Sequence, residues 1–523
     1  MKKTVLIAIY LLAVTVVHAQ KSFPLVWKNK FPVKVERRYI NEDRSLVLGG
    51  GPSSMAMMSG ETGAILWELN FKKRFGYGKA KNWKWEKKEG VIRLVFQKNK
   101  RAPEEIYYLR DSSMQGISQE QYDEIKAKQP MTINGSLFIN EHDTRIFITY
   151  DKYRKDDEVG KHTKRLVTVK ALGKYSWSTP VDIRFMRSFS RTAIPDVAST
   201  FKGDVVQLFH SGNIVFLYYE GLTAFDIKNG SVLWQTEFEN SDYSAKVFKS
   251  TQTFGRGPLP LFTNDAVYLA DMSEDKYKIK KCMLDNGGVI AATPTFSKDD
   301  VIPEMFLSGQ VLVARFGGYL DRQNFIPGTN GKPDTCESFR VYEGKSGLRA
   351  YNANTGALIW ETFDNAALDD KISGTMTNAI LKDSLLYVAT EKHLFCFDVS
   401  TGIVKFKNNI SKNKSGTPVQ LVQHNNNILL ICKKGISSYR MNDGLMNFDA
   451  FTTAVYSYRI IQNALYVYTK ESIQNLTRFI RIDLKNGSFM GKTNETPYPY
   501  FSKDGEGFIR FDGSKVFKYR TGY

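Results

Sequence analysis

The 523-residue chain holds only four cysteines and six histidines. No two cysteines are adjacent and no C-x-x-C occurs, so zinc ribbons and thioredoxin-type redox chemistry are excluded. Four cysteines are also too few for a disulfide framework in a chain of this length. Cys282, Cys396 and Cys432 fall in strand-like runs, as small buried hydrophobes do, whereas Cys336 falls in a loop where pairing with Cys282 is open. His142, His162, His210, His393 and His424 each lack a second histidine or carboxylate at metal-ligand spacing. H-E-x-x-H, G-x-S-x-G, a Walker loop and C-x-x-C-H are absent. The acidic run Asp156, Asp157 and Glu158 has no glycine-punctuated calcium-loop spacing and reads as a solvated hairpin tip. Acidic residues are in deficit, 54 against 73 lysines and arginines, and the net charge of +19 favours anionic partners.

Long apolar runs are missing as well: no stretch reaches the ~18 consecutive apolar residues of a transmembrane helix. The longest, Val5 to Val17, follows Lys2 and Lys3 and precedes Val17-His18-Ala19, a small-x-small site. This pattern predicts a secretory signal over residues 1–19 cut before Gln20, a single domain over residues 20–523, and a secreted or periplasmic mature protein. Export in turn disfavours nucleic acid as a partner.

What the sequence does contain is repetition. Leu222 to Trp234 reads LTAFDIKNGSVLW and Leu348 to Trp360 reads LRAYNANTGALIW, both fitting A-x-[DN]-x-x-x-G-x-x-x-W. Weaker copies end at Trp67 and Trp177, and others replace the tryptophan with Phe406, Phe448 or Gly491. Alternation such as Phe225/Ile227 marks strands, and Asn-Gly, Thr-Gly and Asp-Gly supply the positive φ of tight turns. Two further short apolar runs precede each copy, so each repeat holds four strands, the content of a propeller blade. Turn glycines stand at 63, 173, 230, 287, 356, 402, 444 and 487. A ninth turn, at Thr521-Gly522, leads to no strand of its own, and the strand from Phe23 to Phe31 with Trp27 is expected to complete that last blade. The gap of 110 residues between Gly63 and Gly173 has room for one more module or an insertion.

The A-x-D-x-x-T-G-x-x-x-W pattern resembles the tryptophan-docking repeat of the PQQ-like β-propellers, a family that includes quinoprotein alcohol dehydrogenases and an outer-membrane assembly lipoprotein. The resemblance implies an all-β propeller of four-stranded antiparallel blades, eight in number. It also implies structural docking between blades for Trp27, Trp67, Trp177, Trp234 and Trp360. Quinoprotein dehydrogenases of that family carry an adjacent-cysteine disulfide and a calcium site of Glu, Asn and Asp, none of which can be placed on this sequence. The expectation is therefore a non-catalytic protein without a cofactor, PQQ with calcium entering only under the alternative of an oxidoreductase. A polysaccharide-processing enzyme is a further alternative, since a carboxylate pair drawn from distant blades leaves no local signature.

Loop lengths point to the binding face. Connections between the first and second strands of a blade are short throughout, whereas the long segments Lys72 to Gly90, Asp151 to Arg165, Asn240 to Pro258 and Gly317 to Gly347 belong to the opposite face. Trp83 and Trp85 with Lys84, Arg154, and Tyr319 with Arg322 are the expected ligand-binding residues there, aromatic and cationic. The expected partner is an envelope protein or an anionic polysaccharide.

Overall fold

The computed structural model describes residues 22–41, 43–87, 89–128, 136–150, 163–186, 207–218, 221–237, 251–254, 259–271, 278–297, 300–326, 335–363, 374–471, 476–493, 496–497, 499–502 and 507–521. These residues form ten antiparallel sheets, nine of them built on four strands consecutive in the chain. The first nine span residues 37–70, 82–117, 137–186, 207–237, 261–292, 304–361, 380–409, 418–451 and 457–492. The tenth combines residues 500–520 with Leu25–Lys30, which pairs antiparallel with Lys515–Arg520. The architecture is the expected all-β propeller type. Ten sheets stand where the turns counted nine and the resemblance implied eight.

The repeat turn explains both the agreement and the extra sheet. Gly63, Gly230, Gly287, Gly356, Gly402, Gly444 and Gly487 have φ between 71° and 75°. Each donates its N–H to the carbonyl four residues back, as Gly402 does to Asp398 at 2.8 Å. In the sheet over residues 82–117 this place is taken by Met114, with φ 57° and the same bond to Arg110, so neither glycine nor tryptophan signals it. That sheet occupies the gap between Gly63 and Gly173. Gly173 itself closes a tighter hairpin, in which Ala171 pairs directly with Trp177.

Glycine is required at Gly402 for a second reason. A Cβ there would lie 2.7 Å from the Cδ2 and Cγ atoms of Trp360, the tryptophan of the preceding sheet. Trp360 donates its indole N–H to the Val399 carbonyl at 2.8 Å. Trp177 and Trp234 make the equivalent bonds to Ile227 and Leu284, and Trp27 and Trp67 to Glu61 and Asp111, all at 2.7 Å. Each of the five thus packs its ring on the turn of the next sheet and has its one polar atom satisfied, so its burial stabilises at no hydrogen-bonding cost.

Nine apolar clusters each join two consecutive sheets, one of them the tenth to the first through Phe31, Val47, Phe511 and Val516. The succession runs from the third sheet through the tenth and first to the second. There the free face of the second sheet takes a helix, Gln119–Lys128, whose Tyr122 stacks on Tyr108 with ring centroids 4.3 Å apart.

The turns also carry a pH dependence. Hydrogen bonds from the Ser400 hydroxyl and from Thr401, with Lys405 nearby, lower the Asp398 pKa from 3.8 to about 2 against a smaller opposing effect of burial. A depressed carboxylate stabilises the folded state above its unfolded pKa and loses that contribution as pH falls toward the folded value. Asp398→Asn is therefore expected to lower the urea midpoint near pH 6, with the difference from wild type shrinking between about pH 4 and pH 2. A difference that persists undiminished at pH 2 would show that the charge is not what matters.

Candidate interaction face

In every sheet the turns between strands one and two and between three and four lie on one side, and those between two and three, together with the links between sheets, lie on the other. The first set is short: residues 41–45, 212–213, 309–310, 383–384 and 425–426 join their strands directly. The second set carries the insertions, among them residues 71–81, 293–303 and the extended hairpin beyond residue 316.

The basic, aromatic segment from Lys72 to Gly90 is not a loop. It begins with the short helix Phe71–Phe75, whose first turn is capped by the Asn70 side chain accepting from Lys73 N–H at 3.1 Å. It continues into Asn82–Glu86, the first strand of the second sheet. Strand alternation turns Trp83 and Trp85 together into the apolar cluster shared with the first sheet, and both are 4% exposed. Their indole N–H groups are used internally, Trp83 toward the Gly51 carbonyl at 3.1 Å and Trp85 toward Asp111 Oδ2 at 2.9 Å. Neither ring is available to a ligand, which corrects the expectation of a stacking platform. Lys84, between them, is exposed and lies 3.6 Å from Glu86. Arg154 lies outside the described residues.

Tyr319 and Arg322 stand on Val311–Ile326, which with Thr335–Asn352 forms the two central strands of the sixth sheet. Cys336 lies on the second of these strands rather than in a loop, and Cys282 is a free, buried thiol. Residues 311–316 pair with 347–352 inside the sheet, flanked by Glu304–Ser308 and Leu358–Glu361. Beyond a bulge at Gly317 the same two strands continue as an arm, in which Tyr319 is registered with Tyr342 and Arg322 with Phe339. Thr251–Phe254, from the link between the fourth and fifth sheets, adds a third strand to the arm opposite residues 321–324.

The base of the arm is fixed by charge and by rings. Gly317, φ 71°, donates to the Val301 carbonyl at 2.8 Å. Buried Arg315 donates through Nε to Glu304 Oε2 at 2.6 Å and through NH1 to the Gly317 carbonyl at 2.7 Å. Glu304 also accepts from Ala379 N–H at 2.9 Å. The Arg349 guanidinium lies 4.8 Å and 4.7 Å from the ring centres of Phe316 and Phe363 and donates to Glu361 Oε2 at 2.8 Å, with Asp300 3.7 Å away. Burial works against its charge, but the bond to Glu361 and the nearby Asp300 outweigh it and its pKa is raised. On the far side Ser346 Oγ donates to the Gly374 carbonyl at 2.5 Å, and Tyr342 OH accepts from Met376 N–H at 3.1 Å. Segments before and after the sixth sheet thus clamp the arm from both sides. Only the flanking glycines, Gly317 and Gly347, mark this base in the sequence; Glu304, Arg315, Arg349 and Glu361 read as ordinary strand residues, and Asp300 as a loop residue.

Both glutamates at the base are engaged by arginines, leaving no open acid–base pair there. Among the described residues no three His, Cys, Asp or Glu side chains are grouped as metal ligands. The donor set of a calcium–quinone site does not fit these described residues.

With the repeat, its docking tryptophans and the sheets in place, the class is that of an all-β, propeller-type protein whose repeat is similar to that of the PQQ-like propellers. Residues 329–493 match the family described as outer membrane protein assembly factor BamB. No curated protein matches the chain. Among solved structures, BamB from Moraxella catarrhalis is 12% identical, with 72% of this chain and 98% of that one covered and a TM-score of 0.35. The quinohemoprotein alcohol dehydrogenase ADHIIG from Pseudomonas putida HK5 is 9% identical, with 80% and 71% covered and a TM-score of 0.29. The Dos1 propeller is 9% identical, with 61% and 78% covered and a TM-score of 0.33.

Proposed function

We propose that this protein is an exported, non-catalytic scaffold of the cell envelope that holds a protein partner on its long-loop face, with the arm of the sixth sheet as the principal contact. The arm carries the proposal. It extends the two central strands past the packed sheet, recruits a third strand from another link, and is anchored by Arg315 and Arg349. Rigidly based loops on one face are where repeat folds bind. The charged start and apolar run of residues 1–19 support export, and the match to an envelope assembly factor over residues 329–493 supports the compartment. Among the described residues no helix is long and apolar enough to cross a membrane. The reading requires no cofactor.

The test is to replace residues 319–341 by a two-residue turn in the full chain. Expected are a mature N-terminus at Gln20 in the envelope fraction, an unchanged urea midpoint, and loss of the partner that cross-links to wild-type protein in intact cells. An arm-deleted protein that keeps the same cross-linked partner would overturn the assignment of the arm, and a chain retaining its first 19 residues in the cytoplasm would overturn export.

A further inference from the structure

A second region of the long-loop face has the composition of a ligand surface. On the eighth sheet three segments converge: residues 411–417 entering it, the Lys433–Lys434 turn between its middle strands, and residues 451–456 leaving it. The turn is hydrogen-bonded to both neighbours. Lys434 N–H donates to the Ser415 carbonyl at 2.9 Å, Thr452 N–H to the Lys434 carbonyl at 2.6 Å, and Val455 N–H to the Lys433 carbonyl at 3.1 Å. A Cβ on Gly435 would run into the Ala450 carbonyl and lie 3.1 Å from the Cα atoms of Phe451 and Ser415, so the three segments meet at backbone contact.

Lys412, Lys414, Lys433 and Lys434 are all exposed here, and among the described residues no carboxylate forms an ion pair with them. The adjoining acid, Asp449, is spent on the loop itself: it accepts from Lys414 N–H at 2.6 Å, from Ser415 N–H at 3.3 Å and from Ser437 Oγ at 2.9 Å. Beside the lysines, Phe451 and Tyr456 are 49% and 62% exposed.

We infer that this surface binds an anionic polysaccharide, the lysines pairing with its carboxylates or sulfates and the two rings stacking on its sugar faces. Lysine is depleted and arginine enriched in protein interfaces, so four lysines without an arginine fork favour a polymer of spaced point charges over a protein surface. Half-exposed aromatic rings supply the apolar area that pure ion exchange lacks. The surface is fixed by its own turns and stands apart from the arm. The inference relies on the proposed function only for the accessibility of this face.

Full-length protein is expected to bind both polygalacturonate and heparin and not dextran; preference for one identifies carboxylate or sulfate as the natural group, and failure to bind either overturns the inference. Lys433→Ala with Lys434→Ala should weaken binding about tenfold with no change in urea midpoint. Tyr456→Ala should weaken polysaccharide binding severalfold while leaving retention on a sulfonate resin unchanged, which separates stacking from charge. Lys228→Ala with Lys485→Ala, on turns of the opposite face, should leave affinity intact. Equal losses from the two lysine pairs, or an inert Tyr456→Ala, would mean diffuse attraction to a basic protein and would overturn the site. The arm-deleted chain should bind polysaccharide as wild type does, so failure of the partner proposal and failure of this one are read separately.

Discussion

Trp234→Ala is expected to destabilise the protein by about 3–5 kcal/mol, and Trp83→Ala by a similar amount, although the two tryptophans occupy different places in the repeat. Trp234 is buried between the fourth and fifth sheets and bonded to the Leu284 carbonyl. Trp83 is buried between the first and second sheets and bonded to the Gly51 carbonyl. In both cases truncation opens a cavity and leaves a buried carbonyl without its donor. A loss of this size is a large share of the ~5–15 kcal/mol that holds a typical domain together. Urea midpoints of the two variants at constant slope are the measurement. A Trp83→Ala protein as stable as wild type would return that ring to the surface.

Deleting Phe23 to Phe31 should cost more than either tryptophan. The segment supplies the fourth strand of the tenth sheet, the Trp27 bond to the Glu61 carbonyl, Phe23 to the cluster between the ninth and tenth sheets, and Phe31 to the cluster between the tenth and first. Removing it strips two junctions at once and leaves Lys515–Arg520 as an unpaired edge open to aggregation. Hydrogen exchange is expected to lose protection first in the tenth and first sheets, while the fourth to eighth keep theirs. Uniform loss across all sheets would show the molecule to be a single cooperative unit. No loss at all would remove the strand from the account of stability.

Much of this fold was legible because the repeat turn makes demands that few residues meet. The left-handed glycine, a tryptophan four positions on and the short polar turn between them are all local, so Gly230 with Trp234 and Gly356 with Trp360 announced their sheets. The second sheet was illegible for the same reason. Met114 holds the left-handed position there, and the final strand, Gly116–Ile117, is too short to carry a docking ring. Trp83 and Trp85 misled because they stand among lysines in a segment long enough to be an insertion, although their alternation with lysine also fits a half-buried strand; only the neighbouring sheet decides between the two. The arm resembled a loop because glycine and proline punctuate it, whereas its strand content depends on pairing between residues far apart in the chain. Lys433 and Lys434 carried no signal of their own, since their company with Phe451 and Tyr456 is a product of topology.

The pairing of Leu25–Lys30 with Lys515–Arg520 also sets an order of events. The first strand to be made has its place in the last sheet to be made. At about 5–20 residues per second, its partner follows only after something on the order of a minute of synthesis. During that interval the leading segment, with Trp27 and three lysines between positions 21 and 30, has no native seat. Assembly of the whole molecule therefore waits on its C-terminal end, and a chain interrupted anywhere before residue 515 keeps a vacant edge and an unplaced aromatic strand, a sticky pair that quality control can recognise.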